Sequence, residues 1–137
     1  MPNVSPETPI ARREAEQALL ASILVWPEII SEVKTKIAPE DFQDSKFYKG
    51  QHARIYRAMY ECEHPDIVSV AAKMNEMKLL EKSDCAYLME LVAGKFDSQR
   101  GATFYWDSND YPYYIKAILS YAGKKDTALL KGGWSWE

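Results

Sequence analysis

The chain has 137 residues, 47% of them hydrophobic and 27% charged, a balance that fits one globular domain with its own core and excludes a disordered polymer. No apolar run nears the ~20 residues of a membrane-spanning helix, and the opening residues lack the layout of a signal peptide, so the expected setting is cytoplasmic. A formal charge of −3 argues against a surface built to grip nucleic-acid phosphates, and the only cysteines, Cys62 and Cys85, form no CxxC pair or disulfide framework.

Residues 1–9 are polar and proline-rich and read as a flexible lead-in to a helical domain over 10–123. The first helix runs from about Ile10 to Val25, with Ala15, Leu19, Ile23 and Trp26 on one face and Ala18 and Leu20 beside it. Pro27 opens a second helix carrying Ile29, Ile30, Val33 and Ile37, which Pro39 ends. In the connector that follows, Phe42, Phe47 and Tyr48 are expected to fold back as core plugs. A third helix spans roughly Gln51–Glu63, with Ile55, Ala58, Met59 and Cys62 inward. Asp66 caps a fourth, whose inner face is Ile67, Val70, Ala71 and Met74. Ser83 opens a fifth with Tyr87, Leu88, Leu91 and Val92, closing at Gly94.

Residues 95–110 break the pattern as an irregular aromatic loop, with Thr103–Trp106 a candidate short strand. A sixth helix follows Pro112, placing Ile115, Ile118, Leu119 and Ala122 inward and stopping near Gly123. Residues 124–137 form a short C-terminal arm and tail, the arm at best Lys124–Lys131. The expected fold class is therefore all-α, a compact bundle of five or six short helices.

A search for chemistry finds no catalytic, cofactor-binding or metal-binding constellation. There is no GxxxxGK[ST] or GxGxxG phosphate cradle. His52 and Cys62 lie ~15 Å apart on one predicted helix, and Cys62-x-His64 supplies half a zinc site. The packed alternative puts Cys62 in the core and His64 in solvent. Neither histidine sits in a Ser- or Cys-centred nucleophile motif. The acidic pairs Glu14/Glu16 and Glu40/Asp41 read as solvated or capping residues. The most basic stretch, Lys46, Lys49, His52, Arg54 and Arg57, reads as a solvated face, and Ile67–Met77 offers too few donors for a recognition helix. Direct nucleic-acid binding is thus expected to be weak or absent.

In order, Glu14-Ala15-Glu16-Gln17 with Leu20, the segment Pro39-Glu40-Asp41-Phe42, and His52, Ile55, Tyr56, Ala58 and Met59 resemble the "EAEQ…L", "PEDF" and "H..IY.AM" segments of the N-terminal domain of DnaB-type replicative helicases. Pro65-Asp66-Ile67-Val68-Ser69-Val70 is similar to that family's "PIDLVTV" turn and helix start, and Tyr87-Leu88 with Leu91 to its "YL.EL" helix. Each residue also has a fold role of its own, so the motif reads mainly as structural. The resemblance implies a non-catalytic collar domain that associates with other helicase subunits and contacts primase and the helicase loader. In such a parent, ATP and magnesium belong to the motor and none to this chain. After Gly94 the sequence departs from the family, inserting Phe104–Tyr114 where a long helical hairpin usually begins; this puts homo-oligomer formation through that hairpin in question. The alternative is a stand-alone phage- or plasmid-type replication accessory or DNA-binding regulatory protein. Trp106, Tyr111 and Tyr113 offer a candidate partner surface, or else finish the core.

Overall fold

The computed structural model describes residues 12–42, 50–93 and 108–123, and among them every regular element is helical. The helices are α1 (Arg12–Val25), α2 (Ile30–Val33), α3 (Gln51–Tyr60), α4 (Ile67–Glu76), α5 (Asp84–Ala93) and α6 (Tyr111–Tyr121). Short 3-10 turns at Pro27–Ile29, Pro39–Asp41 and Ser108–Asp110 lead into α2, the connector and α6. The expected strand at Thr103–Trp106, the plugs Phe47 and Tyr48, and the arm at Lys124–Lys131 lie outside the described residues.

α1 is the axis of the bundle, packing against α3, α5 and α6. Its alanines 15, 18 and 21 have no exposed surface, and Leu19, Leu20 and Ile23 are equally enclosed. Small side chains at these positions let neighbouring helices approach closely, while the leucines fill the space between them. Glu14, Glu16, Gln17 and Ser22 are buried too, so α1 has no solvent face along its centre. This corrects the expectation that Glu14 and Glu16 are solvated. Trp26, expected on the inner face, is 40% exposed at the end of the helix. The turn forced before Pro27 swings it aside, with φ −135° and ψ 74°.

The second helix is shorter than its apolar spacing predicts. Beyond Val33 the chain tightens into i→i+3 bonds, Thr35 N–H to the Glu32 carbonyl and Lys36 N–H to that of Val33. The Thr35 hydroxyl also donates to the Glu32 carbonyl at 2.6 Å, a local bond that competes with helix propagation. Ile29, Ile30, Val33 and Ile37 are nonetheless all buried, as their spacing requires.

α4 begins and ends on local chemistry. Asp66 sits at the N-cap and its Oδ1 accepts the Ser69 N–H at 2.8 Å, which holds the carboxyl below its ordinary range. At the other end Lys78 takes φ 62°, with Leu79 N–H bonded to the Met74 carbonyl and Lys78 N–H to that of Asn75. These paired bonds close the helix with a left-handed residue, a place where glycine is usual. Lys78→Gly is therefore expected to raise stability by roughly 0.5–1 kcal/mol, read as a higher denaturant midpoint with unchanged slope. Gly123, with φ +74°, closes α6 at the position expected from sequence. Pro112 stands in the first turn of that helix, where its missing N–H leaves no gap.

Candidate functional site

The family-motif residues converge on the interior. Ala15, Leu20, Ile55, Tyr56, Leu88 and Leu91 have no exposed surface, and Phe42 has 1%. Tyr56 donates its hydroxyl to the Ile37 carbonyl at 2.7 Å and tilts against Phe42 with ring centroids 4.9 Å apart. Burial pushes the Tyr56 phenol far above its ordinary range. Asp41 Oδ2 accepts the Ala38 N–H at 2.8 Å, and the Asp41 carbonyl accepts from Arg12 Nη2 at 3.1 Å. The Pro39–Phe42 connector is thus tied both to itself and to the start of α1.

The polar motif residues form a continuous chain of hydrogen bonds across three helices. Glu16 Oε1 on α1 lies 2.8 Å from His52 Nδ1 on α3, and His52 Nε2 lies 2.6 Å from the Tyr87 hydroxyl on α5. Gln17 Nε2 on α1 donates to that same hydroxyl oxygen at 3.1 Å. Arg12 Nε stands 3.6 Å from the second Glu16 oxygen. A carboxylate can only accept, so Nδ1 donates to Glu16; in the neutral ring Nε2 then accepts from the Tyr87 hydroxyl. Burial raises the Tyr87 phenol above its usual value, which keeps the hydroxyl proton available. The imidazole and the phenol also stack, with centroids 5.6 Å apart.

A second buried polar cluster escapes the motif altogether. Arg54, expected on a solvated basic face, is only 5% exposed, and its Nη2 donates to Asp84 Oδ1 at 2.7 Å. Its Nε donates to the Leu79 carbonyl at 3.1 Å, and Glu81 approaches the same guanidinium at 3.7 Å. Asp84, fully buried, also accepts from Gln51 Nε2 at 2.9 Å and from the Glu81 N–H at 2.8 Å. The pair joins α3 to the first residue of α5. With His52 and Arg54 both inside, the basic stretch loses two of its five members as surface charge. Lys46 and Lys49 lie outside the described residues.

The cysteine and histidine of the half zinc site part company. Cys62 is packed near the Ser69 carbonyl at 3.7 Å, His64 is exposed, and His52 is engaged by Glu16 and Tyr87. Among the described residues no three His, Cys, Asp or Glu side chains come together as a metal site. Nor, among them, is any helix long and apolar enough to cross a membrane.

A family model, the DnaB-like helicase N terminal domain, matches residues 8–107. The chain belongs to this family. Among solved structures it is similar to the N-terminal domain of DnaB helicase from Mycobacterium tuberculosis, at 23% identity and a TM-score of 0.63, over 87% of this chain and 76% of that one. Comparison with curated proteins gives no match. The all-α bundle read from sequence is thus the fold of the DnaB N-terminal domain, and the buried motif residues are its frame.

Of the three aromatics singled out on this DnaB-like domain as a partner surface, Trp106 lies outside the described residues. Tyr111 and Tyr113 are half-buried against the core. Tyr111 meets the edge of Trp26 at 5.9 Å and donates its hydroxyl to Glu32 Oε1 at 2.5 Å, joining α6 to α2. Desolvation, with the Glu32 carboxylate adding to it, raises the Tyr111 phenol to about 12. A raised folded value means the neutral phenol is favoured in the native state. That contribution is complete below the unfolded tyrosine value near ~10 and is lost as pH rises towards the folded one. An ultraviolet titration should show Glu32→Gln lowering the Tyr111 midpoint only part of the way to ~10, because desolvation remains.

Proposed function

We propose that this chain is the non-catalytic interaction and assembly domain of a replicative DNA helicase, associating with other helicase subunits and contacting primase or the helicase loader. The observation that carries the reading is the inward placement of the motif's polar side chains. Glu16, Gln17, His52 and Tyr87 bond to one another across the bundle, as residues that build a scaffold do. Work on a partner then falls to the outer helix faces. In such a parent, ATP and magnesium would be handled by a separate motor, with no cofactor held by this domain.

The test is co-sedimentation of the purified chain with its cognate primase, loader and helicase. Saturable binding to any of them supports the reading; absence of binding to all three, with no effect on helicase assembly, overturns it. Titration against labelled single- and double-stranded DNA at two salt concentrations runs alongside. Tight, salt-sensitive binding there would establish the stand-alone DNA-binding alternative instead.

A further inference from the structure

The C-terminal end of α1 leaves apolar surface in water, although the rest of that helix is enclosed. Val25 is 49% exposed and Trp26 40%, the latter a large aromatic that folding normally covers. Trp26 is braced from one side. Tyr111 of α6 stands perpendicular to it with ring centroids 5.9 Å apart, and the Tyr111 hydroxyl is held by Glu32. A fixed aromatic pair of this kind is the sort of anchor that carries binding energy at protein interfaces.

The charges around the pair have one sign. Glu28 lies in the tight turn that the Ile29 N–H closes on the Trp26 carbonyl at 3.1 Å, and Asp110 directly precedes Tyr111. Both residues are exposed, and among the described residues neither side chain enters a salt bridge or hydrogen bond. Glu32 adds a third carboxylate, already met by Lys36 at 3.8 Å. α1 also has no basic residue in its last turn, and Pro27 brings no N–H to the Ile23 carbonyl four positions back. The negative end of the α1 dipole thus reaches the same turn without a cation. Asp110, at the N-cap of α6, answers the opposing positive end of that helix.

Aromatic surface ringed by carboxylates fits a segment that pairs an apolar side chain with a lysine or arginine. Such a cation would gain the Trp26 ring as well as Glu28 and Asp110. The same carboxylates repel nucleic-acid phosphates and anionic lipid. Resting on the reading of this chain as a protein-binding domain, we propose that Val25, Trp26 and Tyr111, with Glu28 and Asp110, form the docking surface for a basic, apolar segment of a partner protein.

The experiment titrates the full 137-residue chain with a short helical peptide of leucine and lysine, and with a leucine–glutamate peptide of the same pattern. NMR follows the Trp26 indole N–H, the Tyr111 ring, and the methyls of Val68 and Met89, exposed apolar residues on α4 and α5. The expected result is saturable binding of the lysine peptide, weakened by salt, with shifts at Trp26 and Tyr111 and none at Val68 or Met89. Trp26→Ala should weaken that binding about tenfold or more. If this variant does not fold, Glu28→Lys, which reverses an exposed charge and breaks no bond, should weaken it several-fold. The proposal is overturned if the lysine peptide does not bind, if the glutamate peptide binds as well, if Val68 and Met89 shift as Trp26 does, or if either folded variant binds as the wild type does. Sedimentation of the chain alone completes the test: self-association that Trp26→Ala abolishes would give the surface to a second copy and overturn the proposal too. None of these failures touches the assembly reading, which falls only if the wild type binds neither primase, loader nor helicase in co-sedimentation.

Discussion

Asp84→Ala is expected to destabilise the domain by roughly 3–5 kcal/mol, the range for removing one partner of a buried ion pair. The cause lies in what remains. Arg54 would keep its charge at 5% exposure with the carboxylate at 2.7 Å gone. Gln51 and the Glu81 N–H would lose their acceptor as well. Glu81 is a poor substitute, since its side chain is 65% exposed and stands 3.7 Å away. For a domain of this size the melting temperature should fall by roughly 10–20 °C in a calorimetric scan. Replacing both partners, Arg54→Leu with Asp84→Leu, should recover much of the loss, because no charge is then stranded. A fall of less than ~1 kcal/mol in the single variant would show that the pair is not held as described.

Leu20→Ala is the second large effect, at roughly 3 kcal/mol within the 2–5 range for such truncations. Leu20 has no exposed surface on a helix that is itself surrounded, so little can collapse into the space left. Val68→Ala makes the control: Val68 is 76% exposed on α4, and its truncation should stay within ~0.5 kcal/mol. Urea titration of the two variants separates a domain organised around α1 from one in which α1 merely lies on the surface. Equal midpoints would contradict the central placement.

Features governed by neighbours in sequence were readable before any coordinates. The cap at Asp66 is settled by a residue three positions on, and the helix stop at Gly123 by its own backbone. Ile55, Ala58 and Met59 of α3 and Ile115, Ile118 and Leu119 of α6 are buried as their spacing predicts, whereas Ala122 is only half-buried. What sequence reading mistook was the polar residues of α1. Glu14 and Glu16 read as solvated or capping residues, yet Glu16 is buried against His52, a partner 36 residues away. Arg54 and Asp84 are separated by 30 residues, and nothing at either position marks the other. A charged side chain is assigned to the surface by default, and only a tertiary partner overturns that. The DnaB resemblance located Glu16, Gln17, His52 and Tyr87 as a set without saying that they touch.

The enclosure of α1 has a kinetic consequence. Its walls are α3, α5 and α6, so the helix formed from the earliest described residues is completed by the last. Contacts of such wide sequence separation must be won after the loops between them have closed, which slows folding relative to a bundle of adjacent hairpins. A nascent chain that has emerged only as far as α5 still holds the α6-facing side of α1 open to water. During synthesis that side of α1 stays exposed to aggregation until α6 is released to cover it.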